Sequence, residues 1–193
     1  MDDLFTFLNS IHSLSDALLD HLSEIVKTKF LAKKTFLLKP QQVSRNMCFI
    51  KKGLLRAFYV KGDNEVSSWF MKEGDICVSI ESFYYQQPSY EYIQAIEDTQ
   101  LYYIYYPELE NIYHKFPEFN LTGRILTIKY LTLWSEQLYA IRMNTAKERY
   151  EWLLQFHPEL IQRVPQKYIA SYLDITPETL SKIRSEKEFF KSK

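Results

Sequence analysis

The chain of 193 residues is 46% apolar and 25% charged, and its 24 basic and 24 acidic side chains cancel. That composition suits one medium globular domain or a small pair. No apolar run approaches the roughly 20 residues that span a bilayer, and the acidic start MDDLFTFLNS is neither a signal nor a transit peptide, so a cytoplasmic protein with no membrane partner is expected.

Residues 14–26, LSDALLDHLSEIV, set Leu14, Leu18, Leu22 and Ile25 at helical spacing with polar residues between them. From about residue 27 to 106 the pattern changes to short β runs rich in aromatic and β-branched residues: MCFIKKG, LLRAFYVKGDNEVSSWFM, EGDICVSI, EYIQAIED and QLYYIYY. KGDN at 61–64 supplies hairpin-turn chemistry, because Gly and Asn accept positive φ. Many short strands without intervening helices argue for a β sandwich or barrel-like roll.

PELENIYHKF reads as a short helix, and residues 118–143 as a long one. Leu121, Ile125, Ile128, Leu131, Leu138 and Ile141 follow a seam near 3.5 residues, with Ser135 at one polar step. Tyr130, Leu133 and Trp134 add a second apolar face. A helix needing cover on two sides packs on its own domain and on a partner subunit; a single buried helix in a monomer is the plain alternative. Thr145 followed by Glu148 forms a capping box, so a new helix starts there and RMN before it is a hinge.

Residues 165–187, PQKYIASYLDITPETLSKIRSEK, carry the most specific signal. Ile169, Ala170 and Leu173 give one short helix an apolar face, LDIT breaks it, and Thr176–Pro177 reads as N-cap and first residue of the next. Leu180 and Ile183 turn inward, which leaves Glu178, Ser181, Lys182 and Ser185 on the outward face. Two short helices with a small residue at their crossing and a polar second helix describe a helix-turn-helix suited to a DNA major groove. An ordinary helical hairpin is the bland alternative. Charge distribution favours the former: residues 81–120 carry seven acids against one base, residues 161–193 seven bases against four acids.

The order of these parts resembles the cyclic-AMP receptor/FNR (Crp/Fnr) family of bacterial transcription regulators, over essentially the whole chain. FIKKGLLRAFYV is similar to the family's strand–Gly–strand at Gly53, KEGDICV to its Gly-Asp turn at Gly74 and Asp75, NTAKERYEWLL with Arg149 to its first DNA-domain helix, and YIASYLDITPETLSKIR to its reader. The resemblance implies an α+β chain: a cyclic-nucleotide-binding-like jelly roll at 1–117, a dimerisation helix and hinge at 118–143, and a helix-turn-helix domain at 144–193. It implies a homodimer through Leu121, Ile125, Ile128, Leu131 and Leu138, with double-stranded DNA, a second copy and RNA polymerase as partners. Base-reading carries over to Glu178, Ser181 and Lys182, and phosphate contact to Lys167, Thr176, Thr179 and Arg184. Lysine stands at 182 where the FNR branch has arginine; it lacks the planar fork, so guanine discrimination is expected to be weaker. Asp174 replaces the turn glycine, a mild change because Asp tolerates the left-handed region. Little chain follows the reader, so most of the usual β wing is expected to be missing.

Family members that bind cyclic nucleotides open a phosphate cassette with Gly-Glu and close it with arginine. Here SIESFYYQQPSYEYIQA keeps the carboxylate as Glu81, has Ile80 for the glycine, and offers Ser89, Tyr90 and Glu91 near the arginine position. A phosphate between two carboxylates without a cation is repelled, so cyclic nucleotide is disfavoured as effector. Two cysteines, Cys48 and Cys77, are too few for an iron–sulfur cluster, and the four histidines are scattered, so no cofactor or metal is expected. The effector pocket implied by the resemblance comprises Glu81, Phe83, Tyr84, Tyr90, Thr132 and Ser135, suited to an aromatic or neutral ligand unless the rings only pack the roll. No phosphate loop, nucleophile elbow or catalytic constellation is present, so an enzyme is not expected. Two other readings stand beside the regulator: a cyclic-nucleotide sensor with an unconventional cassette, and a protein-interaction module whose reader no longer binds DNA.

Overall fold

A computed structural model describes residues 1–191, with side chains through Glu186. The described chain runs α1 (Asp2–Ile11), α2 (Asp16–Ile25), β1 (Lys27–Leu31), β2 (Phe36–Leu38), β3 (Asn46–Lys52), β4 (Leu55–Lys61), β5 (Asn64–Met71), β6 (Ile76–Cys77), α3 (Ile80–Tyr85), β7 (Tyr92–Ala95), β8 (Thr99–Tyr105), α4 (Tyr106–Lys115), α5 (Phe119–Met143), α6 (Ala146–Phe156), α7 (Pro158–Arg163), α8 (Gln166–Tyr172) and α9 (Pro177–Lys191). It is an α+β protein: an antiparallel β roll, a 25-residue helix and a helical C-terminal region. No strand follows α8 among the described residues.

The chain divides into two compact units. One holds Met1–Tyr59 and Trp69–Lys129, the other Val60–Ser68 and Tyr130–Lys193. The division falls inside α5 rather than at its ends, and the tip of the β4–β5 hairpin belongs with the helical unit.

In the first unit two four-stranded sheets, ordered β1-β8-β3-β6 and β2-β7-β4-β5, enclose a core of Leu31, Leu38, Ile50, Leu55, Ala57, Ile93 and Leu101. Strand alternation explains the core: in β4, Leu55 and Ala57 point inward, so Arg56 and Phe58 point to the other face. Arg56 is nevertheless fully buried, its guanidinium 4.2 Å above the Phe58 ring. Gly53 is required at the β3–β4 turn, with φ +107 and the Thr99 backbone 2.7 Å from where a Cβ would stand. A second core joins α1, α2 and α4 to the roll through Leu8, Leu18, Leu22, Phe49, Leu109 and Ile112. Ser15 caps α2, accepting from Leu18 N–H, while its own N–H and hydroxyl donate to Glu118 at 3.1 and 2.6 Å.

In the second unit Thr145 accepts from Glu148 N–H, and the Glu148 carboxylate returns to Thr145 N–H at 2.8 Å, so α6 starts where its capping box is written. The hairpin tip docks on α8 through one side chain: Ser171 Oγ donates to Glu65 O at 2.8 Å and accepts from Ser67 N–H at 2.9 Å. Gln137 of α5 donates to Ser68 O at 3.0 Å.

Candidate nucleic-acid interface and effector site

The helix pair α8–α9 is assembled from the inside. Ile169, Ala170, Leu173 and Leu180 are buried, and Ala170 has no exposed surface at all, as a crossing point requires. Between the helices Asp174 takes φ +53. Ile175 N–H bonds Ala170 O at 3.0 Å and Asp174 N–H bonds Ser171 O at 3.2 Å, which is the paired pattern of a Schellman stop. Thr176 then caps α9, its Oγ1 accepting from Thr179 N–H at 3.2 Å. Arg149 ties this turn to α6. Its Nη1 donates to Leu173 O at 3.0 Å and Asp174 O at 3.3 Å, and its Nε to Asn144 O at 3.0 Å.

This frame leaves Glu178, Ser181, Lys182 and Ser185 exposed on one side of α9. Thr176 and Lys167 are exposed too, while Thr179 and Arg184 are half-buried. The Glu178 carboxyl is held below the usual carboxylate range by its own backbone N–H, with the Thr176 hydroxyl assisting. It therefore carries its negative charge at neutral pH. Of the basic tail, the side chains of Lys187, Lys191 and Lys193 lie outside the described residues.

The seam of α5 is largely uncovered. Ile128 and Leu131 are 57% and 61% exposed, and Ile125, Trp134, Leu138 and Tyr139 are exposed beside them; Leu121 is half-buried.

In the first unit the cassette segment is closed upon itself. Ile80–Tyr85 forms the short helix α3, stopped by Gln86 in the left-handed region. The Glu81 carboxylate accepts from the Tyr90 hydroxyl and from Gln87 Nε2 at 3.0 Å. Ser82 Oγ donates to Gln87 O at 2.5 Å and accepts from Ser44 N–H at 2.8 Å. Glu91 is pushed above the usual carboxylate range by burial, with the Glu81 charge adding to it and hydrogen bonds from Ser79 and Tyr59 opposing it. Neither carboxylate meets a cation in this segment, and Arg56 alternates to the sheet face opposite Leu55 and Ala57.

Of the six residues expected at an effector pocket, Glu81, Phe83, Tyr84 and Tyr90 belong to the first unit and Thr132 and Ser135 to the second. Glu81 and Tyr90 bond each other at the surface, and Tyr84 is partly exposed. Phe83 has no exposed surface and meets Tyr84 and Tyr106 edge-on, which anchors α3 to α4. Thr132 and Ser135 belong to the other unit, where with Leu131, Tyr139, Trp152 and Phe156 they line an open groove of about 740 Å³. A separate cavity of about 440 Å³ sits inside the roll, lined by Leu38, Arg45, Cys48, Cys77, Ile93 and Tyr105 among others. Periodicity did not reveal it, because its wall residues come from five separated strands.

Residues 28–116 match the family model of the cyclic nucleotide-binding domain. Among solved structures the chain is similar to a double mutant of CooA from Carboxydothermus hydrogenoformans, at 21% identity over 96% of this chain and 84% of that one, TM-score 0.69. It is similar to FixK2 from Bradyrhizobium japonicum, at 16% identity over 84% of each chain, TM-score 0.68. It is similar as well to a protein from Eubacterium rectale described as a transcriptional regulator of the Crp/Fnr family, at 18% identity over 92% and 85%, TM-score 0.67. Comparison with curated protein sequences gives no match. The fold is that of Crp/Fnr-type proteins: a cyclic-nucleotide-binding-type roll, a long helix and a helix-turn-helix.

Proposed function

We propose that this chain is a homodimeric, sequence-specific DNA-binding transcription regulator of the Crp/Fnr type, whose cassette does not take a cyclic nucleotide. The observation that carries the reading is α9. It is capped by Thr176, set by a Schellman turn that Arg149 bonds, and exposes Glu178, Ser181 and Lys182 together. Glu178 and Lys182 supply an acceptor for cytosine and a donor for guanine; Lys167, Thr176, Thr179 and Arg184 supply phosphate contacts. The uncovered apolar seam of α5 supplies the dimer interface, and two-fold symmetry then demands two half-sites about one helical turn apart. RNA polymerase is the expected partner of such a regulator on DNA. Selection from a random duplex pool at moderate salt tests the reading. Enrichment of a palindromic motif is expected; a pool that stays random refutes it and favours a protein-interaction module.

A second reading, a cyclic-nucleotide sensor, is favoured by the family-model match over residues 28–116. The cassette argues against it. Glu81 already accepts from Tyr90 and Gln87, and a cyclic phosphate beside Glu81 and Glu91 meets two carboxylates and, within residues 79–91, no lysine or arginine. Calorimetry with cyclic AMP and cyclic GMP separates the two, and micromolar heats for either nucleotide would establish the sensor.

A further inference from the structure

The cavity inside the roll has two unlike ends. Its walls are Leu37, Leu38, Val78 and Ile93 with the thiols of Cys48 and Cys77, which stand directly opposite each other on β3 and β6. Burial pushes the Cys48 thiol up to about 12 and holds Cys77 well above the ordinary thiol range, so both are neutral and the walls carry no charge. The mouth is polar: Gln42, Ser44, Arg45, Asn46 and Tyr105. Arg45 is exposed and has no carboxylate partner among the described residues. Asn46 stands beside it in the lining, and its amide carries two N–H donors of the kind that bind an anion.

The mouth is also preformed. Tyr106 N–H donates to Arg45 O at 2.9 Å, Asn46 pairs with Tyr105 across β3 and β8, and Ser44 N–H is held by Ser82. The volume of about 440 Å³ lies within the range of small-molecule sites. No residue of the 79–91 cassette lines it. Exposure orders the lining: Arg45 is exposed, whereas Leu38, Cys48, Cys77 and Ile93 are buried. An anion belongs at the mouth, beside Arg45.

We propose that this cavity, not the cassette, is the ligand site of the roll, and that it takes an aliphatic carboxylate: head group at Arg45 and Asn46, tail against Leu38, Ile93 and the two thiols. The proposal rests on the regulator reading only where the ligand is called an effector. Binding is measured without DNA, so a chain that binds the acid but no duplex refutes the regulator alone.

The test is calorimetry of the full chain with sodium octanoate, decanoate and dodecanoate, and with decanol. Saturable binding of decanoate is expected, with Arg45→Ala weakening it about ten-fold while leaving decanol unchanged. Leu37→Trp, which fills the cavity from a half-buried position, abolishes both; Ile93→Phe is the second filling variant, and cooperative thermal unfolding verifies that each is folded. No binding at any chain length overturns the proposal. So does binding that survives in both folded filling variants, or binding that falls in Glu81→Gln and not in Leu37→Trp, which assigns the ligand to the cassette.

Discussion

Arg149 and Leu173 join α6 to the turn between α8 and α9: the Arg149 Nη1 donates to the Leu173 carbonyl at 3.0 Å, while its Nε donates to the Asn144 carbonyl at the same distance. One guanidinium thus bonds the end of α5, the start of the helical bundle and the turn that aims α9. The planar fork matters here, because two carbonyls in different directions are satisfied by one rigid group.

Arg149→Ala is therefore expected to cost about 2–3 kcal/mol, since it leaves carbonyls at a helix end and a tight turn without a charged donor. Arg149→Lys recovers only part of this, as one ammonium does not span both carbonyls. Urea unfolding of the two variants against the unmodified chain checks the magnitude.

Asp174 occupies the left-handed region at φ +53, and its carboxylate lies 3.7 Å from Arg149. Asp174→Gly removes a conformational penalty of about 1 kcal/mol and loses a solvent-exposed ion pair of comparable or smaller worth, so its stability stays within about 1 kcal/mol of the parent. Asp174→Val, β-branched at the same φ, loses about 2 kcal/mol. Thermal unfolding of both variants measures the difference.

Glu91 titrates above its ordinary range because burial penalises its charge. A carboxyl whose folded value is raised binds its proton more tightly when folded. It adds stability as pH falls through the folded value toward the unfolded one, and withdraws that stability as pH rises. Glu91→Gln is accordingly expected to raise the melting temperature at pH 7, with an advantage that shrinks toward pH 4.5. A melting profile that runs parallel to the parent across this window would contradict the assignment.

The α5 seam gives an independent expectation. Ile128→Glu with Leu131→Glu places charges where the proposed dimer buries apolar surface, so the double variant sediments as a monomer while retaining its helical signal. A parent chain that is itself monomeric at micromolar concentration counts against the dimer.

The long helix, the capping box at Thr145, the hairpin turn at Gly62 and the Thr176 cap were legible because each rests on local chemistry: periodicity, a reciprocal hydrogen bond, a positive φ. The left-handed Asp174 was legible for the same reason. What escaped notice depends on strand register. Cys48 and Cys77, 29 positions apart, face each other only because β3 pairs with β6. Arg56 sits in LLRAFYV like any outward residue, and its burial is not written in that alternation. Nothing local in SIESFYY marks Phe83 as buried. Its burial follows from α3, a helix too short to show a period, which turns that ring into the α4 core.

The central claim is that α9 reads sequence, and fluorescence anisotropy on the duplex enriched by selection tests it most directly. At physiological salt the unmodified chain is expected to prefer that duplex over a scrambled one by at least about 10³-fold. Lys182→Ala is expected to lose about 1–3 kcal/mol of that preference, whereas Lys167→Ala weakens binding to both duplexes and lowers the salt slope by about 1. Equal affinity of the unmodified chain for the selected and scrambled duplexes would contradict the account.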